Sequence, residues 1–159
     1  NLKVIKSISK SYGVPGIRLG VFASSDISTV HNVREKMSLW NINSFGEFFL
    51  QNMDKYDSDY KIAINKIVNS RNKMINKLKN LNYIKPFPSE ANYILCEVEK
   101  PLDSSSLTVQ LLNDYNLLIK DCKHKLGFSN RNFVRLAVRD DRDNNSLIDA
   151  LKFIESKVN

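Results

Sequence analysis

One segment of the sequence, residues 60–81, has a periodicity that predicts a long amphipathic helix. Its larger side chains recur at steps of three and four residues, which places them along one face of a helix. These residues are Tyr60, Ile64, Ile67, Arg71, Met74, Leu78 and Leu81. A stripe of this kind is typical of core packing, so we expect this helix to cover another layer of the fold.

Helices and short strands alternate after this point in the chain. From residue 60 onward the predicted order is helix, strand, strand, helix, strand, strand, helix. The later elements are strands 83–85 and 92–98, helix 104–115 with a serine cap at Ser104, strands 117–119 and 133–138, and a final helix after the acidic patch around Asp141. This order favours a mixed α/β fold, an α+β sandwich in which a small sheet packs against helices.

The first 45 residues are organised differently. Two strands are predicted at residues 2–6 and 18–23, separated by a polar loop at 7–15, and helices are predicted to begin at Asp26, as N-cap, and at Ser44. A two-stranded sheet is marginal by itself, so we infer that these strands belong to a larger sheet that lies mostly outside this chain. The predicted domains are 1–45, the remnant of a larger domain, and 46–159, a small C-terminal domain.

The net charge of the chain is +7, which could indicate an anionic partner. The cations are dispersed, however, and those on the predicted helix 60–81 are interpreted as a solvated face. No basic stripe with interleaved aromatic residues is present, and no apolar run is long enough to cross a bilayer. We therefore expect neither a nucleic-acid partner nor a membrane partner.

The cysteines and histidines do not form a metal-binding pattern. Cys96 and Cys122 are far apart in the sequence, and His31 and His124 are isolated from them and from each other. We expect no metal site, and we interpret the two cysteines as reduced thiols of a cytoplasmic protein.

A polar loop near the start of the chain, SISKSYGVPGIRLG at residues 7–20, places one lysine between hydroxyl groups, with an arginine eight residues later. The amine of Lys10 can form a Schiff base with an aldehyde. Serine hydroxyls and the guanidinium fork of Arg18 can hold a phosphate dianion. Taken alone, a loop lysine is usually only a surface cation.

A second constellation lies on the strand predicted at 133–138. Val134, Leu136 and Val138 share the face expected to meet the core, whereas Phe133, Arg135, Ala137 and Arg139 share the other face. Two arginines on one face of a short strand indicate an anion site. The alternative is a solvated sheet face with scattered charges.

The loop at residues 7–20 resembles the pyridoxal-phosphate (PLP) attachment signature of class I/II aminotransferases. It has a serine three residues before the lysine and a small residue just before it. Glycines follow at plus three, plus six and plus ten, and an arginine at plus eight. The resemblance implies that Lys10 carries PLP as a Schiff base and later moves a proton between the substrate Cα and the cofactor C4′. It also implies that Ser7 and Arg18 hold the phosphate, and Ser9 is placed with them among the cofactor-binding residues.

The same resemblance extends over almost the whole chain and assigns Arg135 to the substrate α-carboxylate. The orientation of that carboxylate decides which bond to Cα is weakened, and so favours transamination or decarboxylation. Residues 89–95, SEANYIL, resemble the corresponding strand of histidinol-phosphate aminotransferases, and Asn92 in this strand is predicted to bind the substrate.

Two other segments, residues 118–122 and 135–139, are similar to threonine-phosphate decarboxylases. Histidinol-phosphate aminotransferases have a phosphate-binding arginine where this chain has Lys120, and a lysine keeps the charge without the fork. Lys120 and Arg139 are therefore candidate residues for a second anion of the substrate, with ordinary exposed cations as the alternative.

In this family the acidic partner of the pyridine nitrogen, the aromatic residue stacked on the ring and a glycine-rich phosphate turn precede the lysine, and none is in this sequence. We predict that the chain is the end of the PLP-binding large domain plus the small domain of a longer enzyme, that it is inactive or nearly so alone, and that the intact enzyme is a homodimer. The leading hypothesis is an aminotransferase acting on a small-molecule amino acid that is phosphorylated or otherwise anionic. The alternatives are an O-phosphoamino-acid decarboxylase and a non-catalytic interaction domain.

Overall fold

The structure, a computed structural model, describes residues 2–128 and 131–158. The chain divides into two compact units, Asn1–Ile62 and Ala63–Asn159, and helix α4 (Asp57–Leu78) runs from the first unit into the second. The domain boundary predicted between residues 45 and 46 stays a prediction. It separates a remnant of a larger domain from a small domain, whereas the two units are defined only by their compactness. None of the helices among the described residues is long and apolar enough to cross a membrane.

The first unit contains a two-stranded antiparallel sheet. Strands β1 (Lys3–Lys6) and β2 (Val21–Ser24) pair in a register that places Lys6 opposite Val21. The segment between them, predicted as a polar loop, contains one turn of helix, α1 (Ile8–Ser11), and a 3-10 turn (Pro15–Ile17). The predicted strand 18–23 was wrong at its start, because Arg18 has a left-handed backbone and β2 begins only at Val21.

Two capped helices follow in the same unit, α2 (Ile27–Glu35) and α3 (Ser44–Asn52). The prediction of Asp26 as N-cap is confirmed, since its carboxylate accepts a hydrogen bond from the Thr29 amide. Asn43 caps α3 in the same manner, with its side-chain oxygen accepting from the Gly46 amide. Both caps satisfy amides that a helix leaves unpaired at its first turn. A second 3-10 turn, Met53–Tyr56, leads into α4.

The second unit is a four-stranded antiparallel sheet with helices packed on it. Its strands are β3 (Ile84–Pro86), β4 (Tyr93–Val98), β5 (Lys120–Asp121) and β6 (Phe133–Ala137), in the spatial order β3-β4-β6-β5. Its helices are α4, α5 (Ser104–Tyr115) and α6 (Asp141–Val158). The predicted order of elements from residue 60 onward and the mixed helix-and-sheet class are confirmed.

The core of this unit lies between one face of the sheet and the helices. Alternate strand residues meet it, which is the period expected of a sheet with one covered face. Fully buried members include Ile94, Cys96, Val134 and Leu136 from the strands and Met74, Leu78, Leu107, Leu111, Leu151 and Ile154 from the helices. On the face that this core leaves uncovered, Phe133 is buried beside Phe87 and Phe128, whereas Arg135 is exposed.

Several local predictions differ from the structure. The helix stripe is buried at Arg71, Met74 and Leu78, but Ile64 and Ile67 are 39% and 42% exposed, so core packing was wrong for that part of the stripe. Helix α5 is capped by the Asp103 carboxylate, which accepts from the amides of two of the serines that follow it, and not by Ser104. The strand predicted at 117–119 lies later, at β5.

Candidate active site

The lysine loop is closed at its base by Ser9 and Leu19. The Ser9 amide donates to the Leu19 carbonyl at 3.2 Å, and the Ser9 hydroxyl donates to the same oxygen at 3.2 Å. The same hydroxyl accepts from the Leu19 amide at 2.7 Å, and both residues are buried. The closure lies beyond the last pair of the β1–β2 ladder, Lys6 and Val21, and Lys10 and Arg18 follow and precede its two residues on the two arms of the loop.

Lys10 lies on the single turn α1 with its side chain exposed. Its backbone amide donates to the Ser7 carbonyl at 3.2 Å, which fixes the start of the turn. Among the described residues, the amine of Lys10 has no carboxylate within salt-bridge distance, and neither this amine nor the Ser7 hydroxyl has a hydrogen-bond partner. Both groups are therefore available to an external ligand. The contact predicted between Ser9 and a cofactor stays a prediction, with the Ser9 hydroxyl engaged at Leu19.

Arg18 has φ +55° and ψ +40°, in the left-handed region that a residue with a side chain seldom adopts. Its side chain is exposed, and one terminal nitrogen donates to the Pro15 carbonyl at 3.3 Å. No acidic group of the described residues forms an ion pair with it. A guanidinium without a carboxylate partner, an unpaired hydroxyl and a free amine in one loop are a donor set that fits an aldehyde bearing a phosphate.

Arg135 lies on the uncovered face of the sheet in the second unit, and its side chain is exposed. Its guanidinium carbon is 5.1 Å from the centre of the Tyr93 ring, so the fork rests against an aromatic face. Lys120 of β5 is its direct partner in the antiparallel register. No ion pair neutralises either cation within the described part of the chain. This face therefore presents two adjacent positive charges.

The remaining predicted substrate residues are placed differently. The Asn92 carbonyl accepts from the Val138 amide at 2.9 Å, just before β4, and its side chain is exposed. Arg139 lies beyond the end of β6 and donates to the Asp143 carboxylate, which raises the pKa of its guanidinium. Its charge is thus already compensated, unlike that of Lys120.

Sequence reasoning missed two groups that organise these segments. Arg71 is buried on α4, and its guanidinium donates to the Ala91 carbonyl at 3.1 Å and to the Glu90 carboxylate at 3.2 Å, which anchors the turn before Asn92. Asn43 donates from its side-chain nitrogen to the Ile17 carbonyl at 2.9 Å. The Asn43-Ser44 pair indicates a helix cap in the sequence, but nothing in the sequence indicates a contact 26 residues away.

The structure therefore gathers the predicted residues into two separate sets. Ser7, Ser9, Lys10 and Arg18 lie together in one loop of the first unit, and Arg135 and Lys120 are neighbours on the sheet of the second unit. No cluster of three metal-ligating side chains is present in residues 2–128 and 131–158.

Known sequences resemble this chain over nearly all of its length. It is 30% identical, over 156 residues, to a histidinol-phosphate aminotransferase of Caldanaerobacter subterraneus subsp. tengcongensis, covering 98% of this chain and 42% of that protein. It is 28% identical, over 156 residues, to an L-serine phosphate decarboxylase of Sulfurospirillum multivorans, covering 97% of this chain and 39% of that protein. It is 32% identical to a Leptospira interrogans protein, the adenosylcobalamin biosynthesis bifunctional protein CobDQ, covering 97% of this chain and 18% of that protein. The chain thus spans less than half the length of these curated relatives.

Solved structures and a family profile agree with these relatives. The histidinol-phosphate aminotransferase from Clostridium acetobutylicum superposes with a TM-score of 0.88 and 29% identity, over 98% of this chain and 46% of that one. A decarboxylase from Sulfurospirillum multivorans superposes with a TM-score of 0.85 and 25% identity, over 100% of this chain and 44% of that one. The profile of the family described as aminotransferase class I and II matches residues 1–151. Because the match covers nearly the whole chain, this chain belongs to the class I and II aminotransferases, a family of enzymes whose cofactor is pyridoxal 5′-phosphate.

Proposed function

We propose that this chain contributes the cofactor lysine and the substrate-carboxylate arginine to a PLP-dependent aminotransferase that acts on a phosphorylated or otherwise anionic amino acid. The observation that carries the proposal is the closed lysine loop, in which the unpaired amine of Lys10 and the guanidinium of Arg18 flank the Ser9–Leu19 closure. The chain spans less than half of the relatives it matches, so the activity proposed is that of a longer enzyme.

Each residue of the loop has a distinct role in this proposal. PLP, when bound, withdraws electrons from the substrate Cα and so weakens the bonds to that atom. Lys10 would hold the cofactor aldehyde through its amine, and the same Nζ would be the group that takes the proton from the substrate Cα. Arg18 and the Ser7 hydroxyl bind the phosphate, because a fork and a free hydroxyl both donate to its oxygens.

Arg135 binds the substrate α-carboxylate. Two parallel hydrogen bonds from a guanidinium fix the plane of a carboxylate as well as its position. The Tyr93 ring, 5.1 Å from the guanidinium carbon, limits the orientations that the fork can adopt. Asn92 immediately precedes β4, the strand that contains Tyr93, and we assign it to substrate binding together with Arg135.

Lys120 is the better of the two candidates for a second substrate anion. It lies directly opposite Arg135, and no acidic side chain of the described residues pairs with it. Arg139 is already paired with Asp143, so an anion there would have to displace a carboxylate. Two unpaired cations on neighbouring strands match a substrate that has two anionic groups.

The first experiment asks whether the full-length protein takes up PLP through Lys10. We expect a yellow protein whose absorbance band is bleached by borohydride, and we expect Lys10→Ala to abolish that band. Lys3→Ala, an exposed lysine of β1, is the matched control and should leave the band intact. A protein that never takes up PLP, or a band that survives Lys10→Ala, would refute the proposal and favour the non-catalytic interaction domain.

A decarboxylase acting on an O-phosphoamino acid is the second candidate. It is favoured by the sequence similarity to the L-serine phosphate decarboxylase of Sulfurospirillum multivorans and by the structural similarity to a decarboxylase from the same organism. Carbon dioxide release from phosphoserine or phosphothreonine separates the two reactions. Stoichiometric release without formation of a keto acid would establish decarboxylation in place of transamination.

We further propose that the intact enzyme is a cytoplasmic homodimer. Both cysteines, Cys96 and Cys122, are free and buried, which is consistent with a reducing compartment. Members of this family work as homodimers, so the oligomeric state is best measured on the full-length protein by light scattering. A monomeric, fully active enzyme would overturn this part of the proposal.

A further inference from the structure

The backbone of Arg18 is in a conformation that needs support from its surroundings. Among the described residues, only Arg18 and Asn116 combine a side chain with a positive φ, and Asn116 ends helix α5, where asparagine is well tolerated. Arginine has no such tolerance, so its φ of +55° persists only if neighbouring contacts determine it.

Both sequence neighbours of Arg18 are held in place by contacts with other residues of the same unit. On one side, Leu19 is bonded to Ser9 through its amide and its carbonyl, and its side chain lies against Gly46 of α3. An added Cβ at Gly46 would come within 3.0 Å of the Leu19 side chain, so helix and loop are closely packed there. On the other side, the Ile17 carbonyl accepts from Asn43 at 2.9 Å.

Asn43 uses the two ends of one amide group for two different purposes. Its oxygen accepts from the Gly46 amide at 2.9 Å and caps helix α3, while its nitrogen donates to the Ile17 carbonyl. The cap requires only an acceptor, which serine or aspartate also supplies. The contact with Ile17 requires a donor that reaches away from the helix, and aspartate lacks one.

We propose that Asn43 is a positioning residue for Arg18, which it holds, through the Ile17 carbonyl, in the conformation that aims the guanidinium at the cofactor phosphate. The inference rests on the proposed function, because it takes Arg18 as the phosphate-binding residue. The residue it adds is the N-cap of helix α3, which lies outside the lysine loop and affects binding of the cofactor phosphate but not of the aldehyde.

The test compares two variants that keep the helix cap and weaken or remove the contact with Ile17, Asn43→Asp and Asn43→Ser. Serine adds no charge, so it separates loss of the contact from the repulsion that aspartate would exert on a phosphate. Asp26→Asn, which alters the cap of α2 and leaves the loop untouched, is the matched control. The apo form of each full-length protein is titrated with PLP and, separately, with pyridoxal, the same aldehyde without the phosphate. Inorganic phosphate serves as a third, non-covalent probe.

We expect both Asn43 variants to bind PLP about two- to tenfold more weakly, the effect of one lost hydrogen bond, with pyridoxal binding unchanged. Binding of inorganic phosphate should weaken in parallel with binding of PLP, and the Asp26→Asn protein should bind all three probes as the wild type does. Unchanged PLP binding in both variants, or equal loss of PLP and pyridoxal, would overturn the inference alone. A wild-type protein that binds neither aldehyde would overturn the proposed function and this inference with it.

Discussion

Lys120 lies directly opposite Arg135 across strands β5 and β6, on the face of the sheet that the core leaves uncovered. Like charges in this relationship destabilise a sheet, because their side chains leave the backbone only a few ångströms apart. Neither cation forms an ion pair with a carboxylate of the described residues. An anion bound between them would offset the repulsion, and this links the stability of the sheet to the proposed binding of a doubly anionic substrate.

Replacement of Lys120 by glutamate should therefore stabilise the protein while it weakens substrate binding. We expect Lys120→Glu to raise the free energy of unfolding by roughly 0.2–1 kcal/mol, since it turns a like-charge pair into an opposite-charge pair. Urea denaturation at low and high salt measures the gain, which should shrink as salt screens the pair. Lys125→Glu, in the turn after β5, is the control and should leave stability nearly unchanged. A Lys120→Glu protein that is less stable than the wild type at low salt would contradict the prediction.

The N-cap of α2 should give a pH-dependent contribution to stability. Hydrogen bonds from Ser28 and Thr29 lower the pKa of Asp26 to about 2. Because the pKa is lower in the folded state, the stabilisation is present above the unfolded value of about 3.9 and is lost as the pH falls toward 2. Asp26→Asn keeps the capping oxygen without the charge.

We expect the wild type to have a higher urea midpoint than Asp26→Asn at pH 7, with the difference vanishing near pH 2. An NMR titration of the Asp26 carboxyl gives the pKa directly. Asp114→Asn on α5 controls for the removal of one exposed carboxylate. A carboxyl that titrates near pH 4 would show that the two hydroxyl bonds do not persist in solution.

The order of elements after residue 60 could be predicted because local periodicity and burial agree there. Ile94, Cys96 and Val98 alternate along β4 and all face the core, which is the pattern that identifies a half-buried strand. The caps were harder to assign, since Asp103 and Ser104 are both good N-cap residues and only the backbone geometry separates them.

The interior of the lysine loop could not be predicted from local pattern. Its polar composition indicates a loop without regular structure. The helical turn at Ser9 is held by Leu19, ten residues later, and the backbone next to Arg18 is held at Ile17 by Asn43, 26 residues later. The attachment signature specifies residue types at fixed spacing, so it could predict the roles of Lys10 and Arg18, whereas the role of Arg135 was predicted from the wider family resemblance of its strand. Neither could show that Arg139 is already paired with Asp143 while Lys120 is not.

Tyr83 should make the protein sensitive to alkaline pH. Burial, with the negative charge of Glu155 nearby, raises the pKa of Tyr83 well above its usual value of about 10, and its hydroxyl donates to the Leu151 carbonyl at 2.9 Å. Its contribution to stability is therefore complete below pH 10 and falls as the pH rises, because the unfolded chain loses this proton first.

Tyr83→Phe should lower the free energy of unfolding by about 1 kcal/mol at pH 7, and the difference should diminish above pH 10. Tyr56→Phe, at an exposed position, is the control, and a Tyr83→Phe protein as stable as the wild type at pH 7 would contradict the assignment.

Arg71 allows a test in which the apparently conservative substitution is the more damaging one. Its side chain is only 6% exposed, its Nε has no partner among the described residues, and its carboxylate partner Glu90 is fully exposed. Arg71→Met removes a buried charge and leaves Glu90 in water, so the loss should be confined to the bond with the Ala91 carbonyl, about 1 kcal/mol. Arg71→Lys keeps a strongly hydrated charge in the same buried site, and lysine lacks the planar fork that reaches both acceptors. We therefore expect it to lower the free energy of unfolding by roughly 2–3 kcal/mol. Chemical denaturation shows which of the two variants is less stable. Arg142→Met and Arg142→Lys, the same substitutions at an exposed arginine, are the controls. A lysine variant more stable than the methionine variant would mean that the ion pair with Glu90, and not the packing of the arginine, anchors the turn that leads to Asn92.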